Sequence, residues 1–440
     1  MVNKKGGTIR RHALANFSSQ IRRSLALARS DSLYRNSTFL AANAVFTALL
    51  GFSFWVIAAR LLSPQAVGLA AAIISIATLV ATFSYLGFDN ALIKYLPTSS
   101  AKDHDTHTGL TLAGATAIIG ASIALTIAAD SGSKLRILVS SPFSIAAFVA
   151  LCLLTSWNSL TNVVFIADRT AQYVLLTTVV FCVARLPFLF LFNHGGYSDA
   201  TSGWLIGQGV SVFASFFILY KVSGYRYRPS FDIPAARRMV HFAAANYVSN
   251  LAAALPSLVF PSVILGVIGP KYAAYFYVVY LIIVCLSQLP FGVSLSLFAE
   301  GSRDPDNMWA HVRRATMATV MFTVPSLVAL VAVGYPLLAL FGHSYAVHGY
   351  GCLCVLCLSS VPGMVTYIGG TVLRITGRMR TLIVGSILGA AFTIFVGIFA
   401  LIEFRSLIAV AGGMLIGQVV VSTVFAVDVA RLYRMERRGR

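Results

Sequence analysis

Apolar residues fall in long runs of about 20 along almost the whole chain, separated by short polar gaps, which is the pattern of helices crossing a hydrocarbon core about 30 Å thick. The runs lack the apolar-polar alternation of barrel strands, and in lipid only helices or closed barrels satisfy their backbone groups. Twelve helices are predicted, at roughly 37–59, 66–87, 108–129, 142–166, 170–192 and 201–223, then 242–267, 272–298, 315–341, 346–368, 381–402 and 407–430. Composition agrees: 58% hydrophobic residues against 11% charged, with a mean hydropathy of +0.81, exceed what a soluble domain can keep dispersed. The expected class is an all-α polytopic protein of the cell membrane.

Charge orients the predicted helices. Of the 33 Lys and Arg residues, 27 lie in alternate gaps: the amino-terminal arm, the gaps holding Lys94, Lys102 and Arg169, the middle gap from Lys221 to Arg238, and the later ones ending in the carboxy-terminal tail. The opposite gaps hold Arg60, Lys134, Arg136, Lys271 and Arg405. Short basic loops stay cytoplasmic, so both termini are predicted inside. A net charge of +19 scattered over seven segments fits topology and anionic membrane lipid, not nucleic acid. Leu14, Phe17, Ile21 and Leu25 space the arm either as an interfacial amphipathic helix or as a basic tag that enforces orientation.

The two halves look duplicated. Superposing Pro64 on Pro270 aligns two turns on the outer face, and the second span of each half then runs into a polar stretch on the inner face. An even number of spans per half makes the halves parallel, related by an axis along the membrane normal. The predicted organisation is a basic arm over 1–35, a first lobe over 36–223, a cytoplasmic linker over 224–240, a second lobe over 241–430 and a basic tail over 431–440. All six cysteines lie within spans and read as small apolar residues; Cys352 and Cys354 point apart on a helix, which argues against a metal cluster.

Three stretches carry a family resemblance: NSTFLAANAVFTALLGFSFWVIAARLLSPQAVG from Asn36 to Gly68, YLGFDNALIKYLP closing the second span, and YPLLALFGHSYAVHG from Tyr335 to Gly349. In this order the chain resembles bacterial polysaccharide exporters of the multidrug, oligosaccharidyl-lipid and polysaccharide flippase superfamily, over about Asn36 to Arg431. The resemblance implies a V-shaped pair of six-helix bundles that turns a polyprenyl-linked glycan, joined through phosphate or pyrophosphate, from the cytoplasmic to the outer leaflet by alternating access. It implies surrounding membrane lipids as partners, and glycan polymerase and assembly proteins as further ones.

An anionic headgroup needs cationic and hydrogen-bonding groups at a depth where lipid does not tolerate them. Arg185, on the order of 12 Å below the outer end of the fifth span, is the one such cation. It either faces a cavity and pairs with the phosphate, or snorkels to the outer interface past Pro187. Asn43 and Thr47 on the first span, with Asn246, Asn250 and Ser257 on the seventh, form stripes that either bond sugar hydroxyls or join neighbouring helices. On the eighth span Tyr277 and Tyr280 are candidates for stacking on sugar rings, while Tyr272 and Tyr275 read as an interfacial aromatic belt. Asp89, followed by Lys94, gates the inner mouth, binds a coupling cation or caps a helix, and Arg60 is the corresponding outer-turn charge, a gate or an anchor of the helix end.

Enzymatic readings lack support: there is no Gly-rich phosphate loop and no paired carboxylates. No cofactor is expected beyond a coupling cation, H+ or Na+, drawing on an ion gradient or the membrane potential. Two rivals stay within the superfamily, an antiporter extruding organic cations and a flippase for the peptidoglycan precursor. The first favours interior carboxylates, whereas the clearest interior charge here is positive.

Overall fold

Fourteen α-helices and two short 3-10 turns make up the described part of the computed structural model, residues 32–99, 102–130, 134–191, 196–225, 233–304 and 307–439. The first half holds α1 (Ser32–Leu61), α2 (Pro64–Ser84), α3 (Phe88–Tyr95), α4 (Lys102–Asp130), α5 (Pro142–Ala167), α6 (Ala171–Arg185), α7 (Phe188–Leu191) and α8 (Tyr197–Ser223). The second holds α9 (Ile233–Val267), α10 (Pro270–Arg303), α11 (Met308–Ala339), α12 (His343–Ile375), α13 (Met379–Phe404) and α14 (Leu407–Gly439). Among the described residues twelve helices are long and apolar enough to cross a membrane, as the apolar runs predict. Their outward faces are apolar: Phe213 and Phe395 are each 74% exposed, a surface that only lipid tolerates.

Helix boundaries follow local chemistry. Ser63 caps α2 by accepting from the Ala66 amide at 3.3 Å, with Pro64 in the first turn where its missing N–H is harmless. Ser141 and Pro142 repeat this device at α5. The second span ends at Ser84, where Leu86 (φ 48°) and Gly87 (φ 84°) turn the chain into the short α3. The fifth span is not one unbroken helix: Arg185 is the last residue of α6, and Leu186 with Pro187 breaks the hydrogen-bond ladder before α7. Helix α9 begins inside the stretch read as a linker, and α14 runs on through the predicted tail. The predicted amphipathic arm, and residues 226–232 of the linker, lie outside the described residues.

Packing repeats between the halves. In the first, α1 lies on α6, α6 on α8, α5 on α8, α4 on α5, and α2 on both α4 and α5. The corresponding spans of the second pair identically: α9 on α13, α13 on α14, α12 on α14, α11 on α12, and α10 on both α11 and α12. The halves meet chiefly through α2, which packs on α9 and α10, and through α3 on α9. One difference stands out among the described residues: proline lies within a continuous helix only in the second half, at Pro256, Pro261, Pro290, Pro325, Pro336 and Pro362, while in the first half Pro187 splits the fifth span.

Candidate functional site

At the face predicted to be outer, the halves are tied together by one cation and a row of rings. Arg60, at the end of α1, donates from Nε to the Leu340 carbonyl at 2.6 Å and from NH2 to that of Ala339 at 3.0 Å, where α11 ends; the Ala339 carbonyl also accepts from the Gly342 amide at 3.1 Å. Phe52 packs edge-on against Phe341 with centroids 5.1 Å apart, and Trp55 meets Tyr277 at 4.6 Å. Just below, α2 crosses α10 where the side chain of Gly68 is missing, against the Pro270 carbonyl and the Ala274 amide. The superposition of Pro64 on Pro270 also sets Gly68 on Ala274, so the crossing lies at equivalent points of the duplication. At the opposite face the Tyr247 hydroxyl donates to the Phe83 carbonyl at 2.8 Å.

Beside this seam sits Arg185, only 1% exposed. Its guanidinium carbon lies 4.3 Å from the ring centroid of Phe54 on α1 and 4.6 Å from those of Phe181 on α6 and Trp204 on α8. One amino group donates to the Leu50 carbonyl at 3.3 Å and approaches the Cys182 sulfur at 3.8 Å; Nε has no hydrogen-bond partner. Snorkelling is thus excluded here, and the side chain is closed off from any open cavity. Burying a charge without a counter-ion costs several kcal/mol, and desolvated cation–π contacts of about 2 kcal/mol each offset much of it.

A repeated hexapeptide builds this place and its counterpart. Helix α8 carries GWLIGQ from Gly203 to Gln208 and α14 carries GMLIGQ from Gly413 to Gln418. A β-carbon at Gly203 would lie 2.8 Å from the Arg185 carbonyl and one at Gly207 3.0 Å from that of Phe181; at Gly417 it would lie 2.7 Å from the Gly389 carbonyl. The glycines therefore let the sixth span of each half cross its fifth at backbone contact, and Thr393 takes the position that Arg185 holds in the first half. Each glutamine reaches the fourth span. Gln208 Oε1 accepts from Asn158 Nδ2 at 2.7 Å, while Gln418 Nε2 donates to Thr366 Oγ1 at 2.8 Å. The first half extends this into a buried network: Ser211 Oγ donates to Asn158 Oδ1 at 3.0 Å and Thr177 Oγ1 to Asn162 Oδ1 at 3.1 Å. In the second half Gln418 and Met414 instead line a cavity of about 270 Å³ with Tyr280 and Tyr367. Sequence reasoning passed over the glutamines and Trp204; the duplicated hexapeptide was the available signal.

The other predicted residues are dispersed. Asn43 is half-buried with Oδ1 unbonded, Thr47 and Asn250 are exposed, and Ser257 donates to its own helix at Ala254, 2.7 Å away. The side chains of Lys94 and Asn246 lie outside the described residues. Asp89 sits in the first turn of α3, whose N-cap is Gly87. The aromatic-belt expectation fails for Tyr275, which is buried and stacked on His348 with centroids 5.1 Å apart.

The sequence profile of the family described as "Polysaccharide biosynthesis protein" matches residues 33–291. Among solved structures the fold is similar to the lipid II flippase MurJ in an inward closed conformation, with a TM-score of 0.73 and 16% identity over 89% of this chain and 87% of that one. It is also similar to a multidrug resistance MATE family transporter of the MOP superfamily: facing inward, the TM-score is 0.63 at 15% identity over 89% of this chain and 95% of that one. A MOP superfamily transporter from Pyrococcus furiosus gives 0.55 at 14% identity, over 94% and 96% of the two chains. A comparison with curated protein sequences finds no match.

Proposed function

This chain belongs to the polysaccharide biosynthesis protein family, and on that premise we propose that it flips a polyprenyl-linked oligosaccharide from the cytoplasmic to the outer leaflet. The lobes would be residues 36–223 and 241–430, with both termini cytoplasmic, moving by alternating access. One observation carries the reading: a buried cation without a carboxylate partner, its Nε unbonded, beside the seam where the halves separate. A phosphate or pyrophosphate offers it charge-assisted hydrogen bonds that its rings cannot. Arg185 is thus proposed to leave its cage for the headgroup when the cleft opens. Arg60 and Gly68 hold the outer seam, and Tyr247, with Asp89 beside it, the inner one. A coupling cation, H+ or Na+, would supply the work, and glycan polymerase and assembly proteins would take the product. The likeness to a lipid II flippase supports a lipid-linked substrate.

Deletion followed by lipid analysis tests this. Completed lipid-linked repeat unit should accumulate on the cytoplasmic leaflet. Unchanged lipid pools with altered dye resistance would overturn it in favour of organic-cation extrusion.

A further inference from the structure

We propose that the cavity of the second half binds one neutral sugar ring of the translocated glycan, a proposal that rests on the glycan reading above. The cavity lies within the bundle, walled by α9, α10, α11, α12 and α14. At about 270 Å³ it falls below the roughly 300–1,000 Å³ of sites for drug-sized ligands, which sets its occupant at about a single ring.

Its chemistry narrows the ligand further. Among its described lining residues there is no Asp, Glu, Lys, Arg or His, so neither a phosphate nor an organic cation finds a counter-charge there. What it presents is mainly acceptors. Ser360 donates to the Leu356 carbonyl of its own helix at 3.1 Å, which leaves its oxygen lone pairs for a ligand, while Ser287, which donates to the Ile283 carbonyl at 2.9 Å, also bonds the Tyr367 hydroxyl. Gln418 donates its amide to Thr366 and keeps its carbonyl oxygen. A ligand rich in hydroxyl donors complements such a lining. Thr323, 2% exposed, stands in the same wall with a hydroxyl that has no hydrogen-bond partner, a cost that a ligand hydroxyl reaching it would remove. Tyr280 and Tyr367 supply ring surface for the C–H face of a pyranose. In the first half the hexapeptide glutamine is taken up by the protein: Gln208 accepts from Asn158, whose oxygen in turn accepts from Ser211. The two copies of the hexapeptide would thereby divide one substrate, its charge going to the first half and a sugar to the second.

Saturation-transfer NMR on the full chain in lipid nanodiscs tests the site, with the methyl glycosides of glucose, galactose and N-acetylglucosamine as probes at millimolar concentration. At least one glycoside should receive saturation. Thr323→Val, which keeps the shape and removes the hydroxyl, should weaken it about fivefold, and Ser360→Trp, which fills the space, should abolish it. Neither inorganic phosphate nor tetraphenylphosphonium should displace the glycoside. Absence of transfer to all three glycosides, equal transfer in both variants, or displacement by tetraphenylphosphonium would each overturn the proposal. The lipid-pool experiment separates the two claims. Accumulated lipid-linked unit with no glycoside binding sinks the sugar site alone; glycoside binding with unchanged pools sinks the flipping reading.

Discussion

Trp204 and Met414 hold the same position in two copies of one hexapeptide, the first closing a ring over the Arg185 guanidinium at 4.6 Å and the second lining the cavity of the other half. Exchanging them separates the two roles. Trp204→Met removes one face of the cage and should lower the melting temperature, with a loss of about 2 kcal/mol from the contact alone. Trp204→Phe keeps a ring there and should recover most of it. Equal melting temperatures for the two variants would show that the ring face does not hold the cation.

Arg185 itself makes a sharper case. Replacing Arg185 by an apolar residue of similar volume removes the cost of burying a charge without a counter-ion, which offsets the cation–π contacts given up. Arg185→Met is therefore expected to keep or raise the melting temperature and to abolish glycan export, while Arg185→Lys retains part of it. A lower melting temperature with intact export would mark the arginine as a purely structural group.

The two glutamines should respond in opposite ways. Gln208→Leu strands the Asn158 amide in a buried network and should cost about 1–3 kcal/mol of stability. Gln418→Leu, at the wall of a cavity, should cost less stability and weaken glycoside binding. Thermal unfolding of both variants beside the saturation-transfer signal reads the contrast directly.

The outer seam predicts a change of conformational population. Gly68→Ala would drive a methyl into the Pro270 carbonyl, an overpacking of about 1–3 kcal/mol, and Arg60→Ala removes two hydrogen bonds to α11. Both should raise maleimide labelling of a cysteine placed at Phe341, roughly tenfold for a shift of about 1.4 kcal/mol. Labelling unchanged from the parent would mean that these contacts do not keep the halves closed.

Much of this architecture was legible in the chain. Unbroken apolar runs gave twelve spans because lipid demands them, and the Pro64 and Pro270 turns gave the duplication that brings Gly68 to Ala274. The hexapeptide repeat escaped because it aligns at a slightly different offset, the gaps between spans differing in length. Arg185 was visible as a charge in an apolar run, yet its surroundings were not: Phe54, Phe181 and Trp204 come from three helices, and no local spacing records their convergence. Tyr275 misled for a related reason, since a tyrosine near a helix end meets lipid headgroups only if no neighbour covers it, and here His348 does.

The distribution of proline has a mechanical meaning. Each interior proline deletes a helical hydrogen bond and leaves a carbonyl free, so the bending cost at that point is already met in the resting fold. All six of these lie in the second half, whereas among the described spans of the first, proline breaks the ladder once, at Pro187 within the fifth span. Two bundles alike in packing thus differ in where proline breaks their hydrogen-bond ladders, at one point beside the caged cation in the first and at six points spread over four helices in the second.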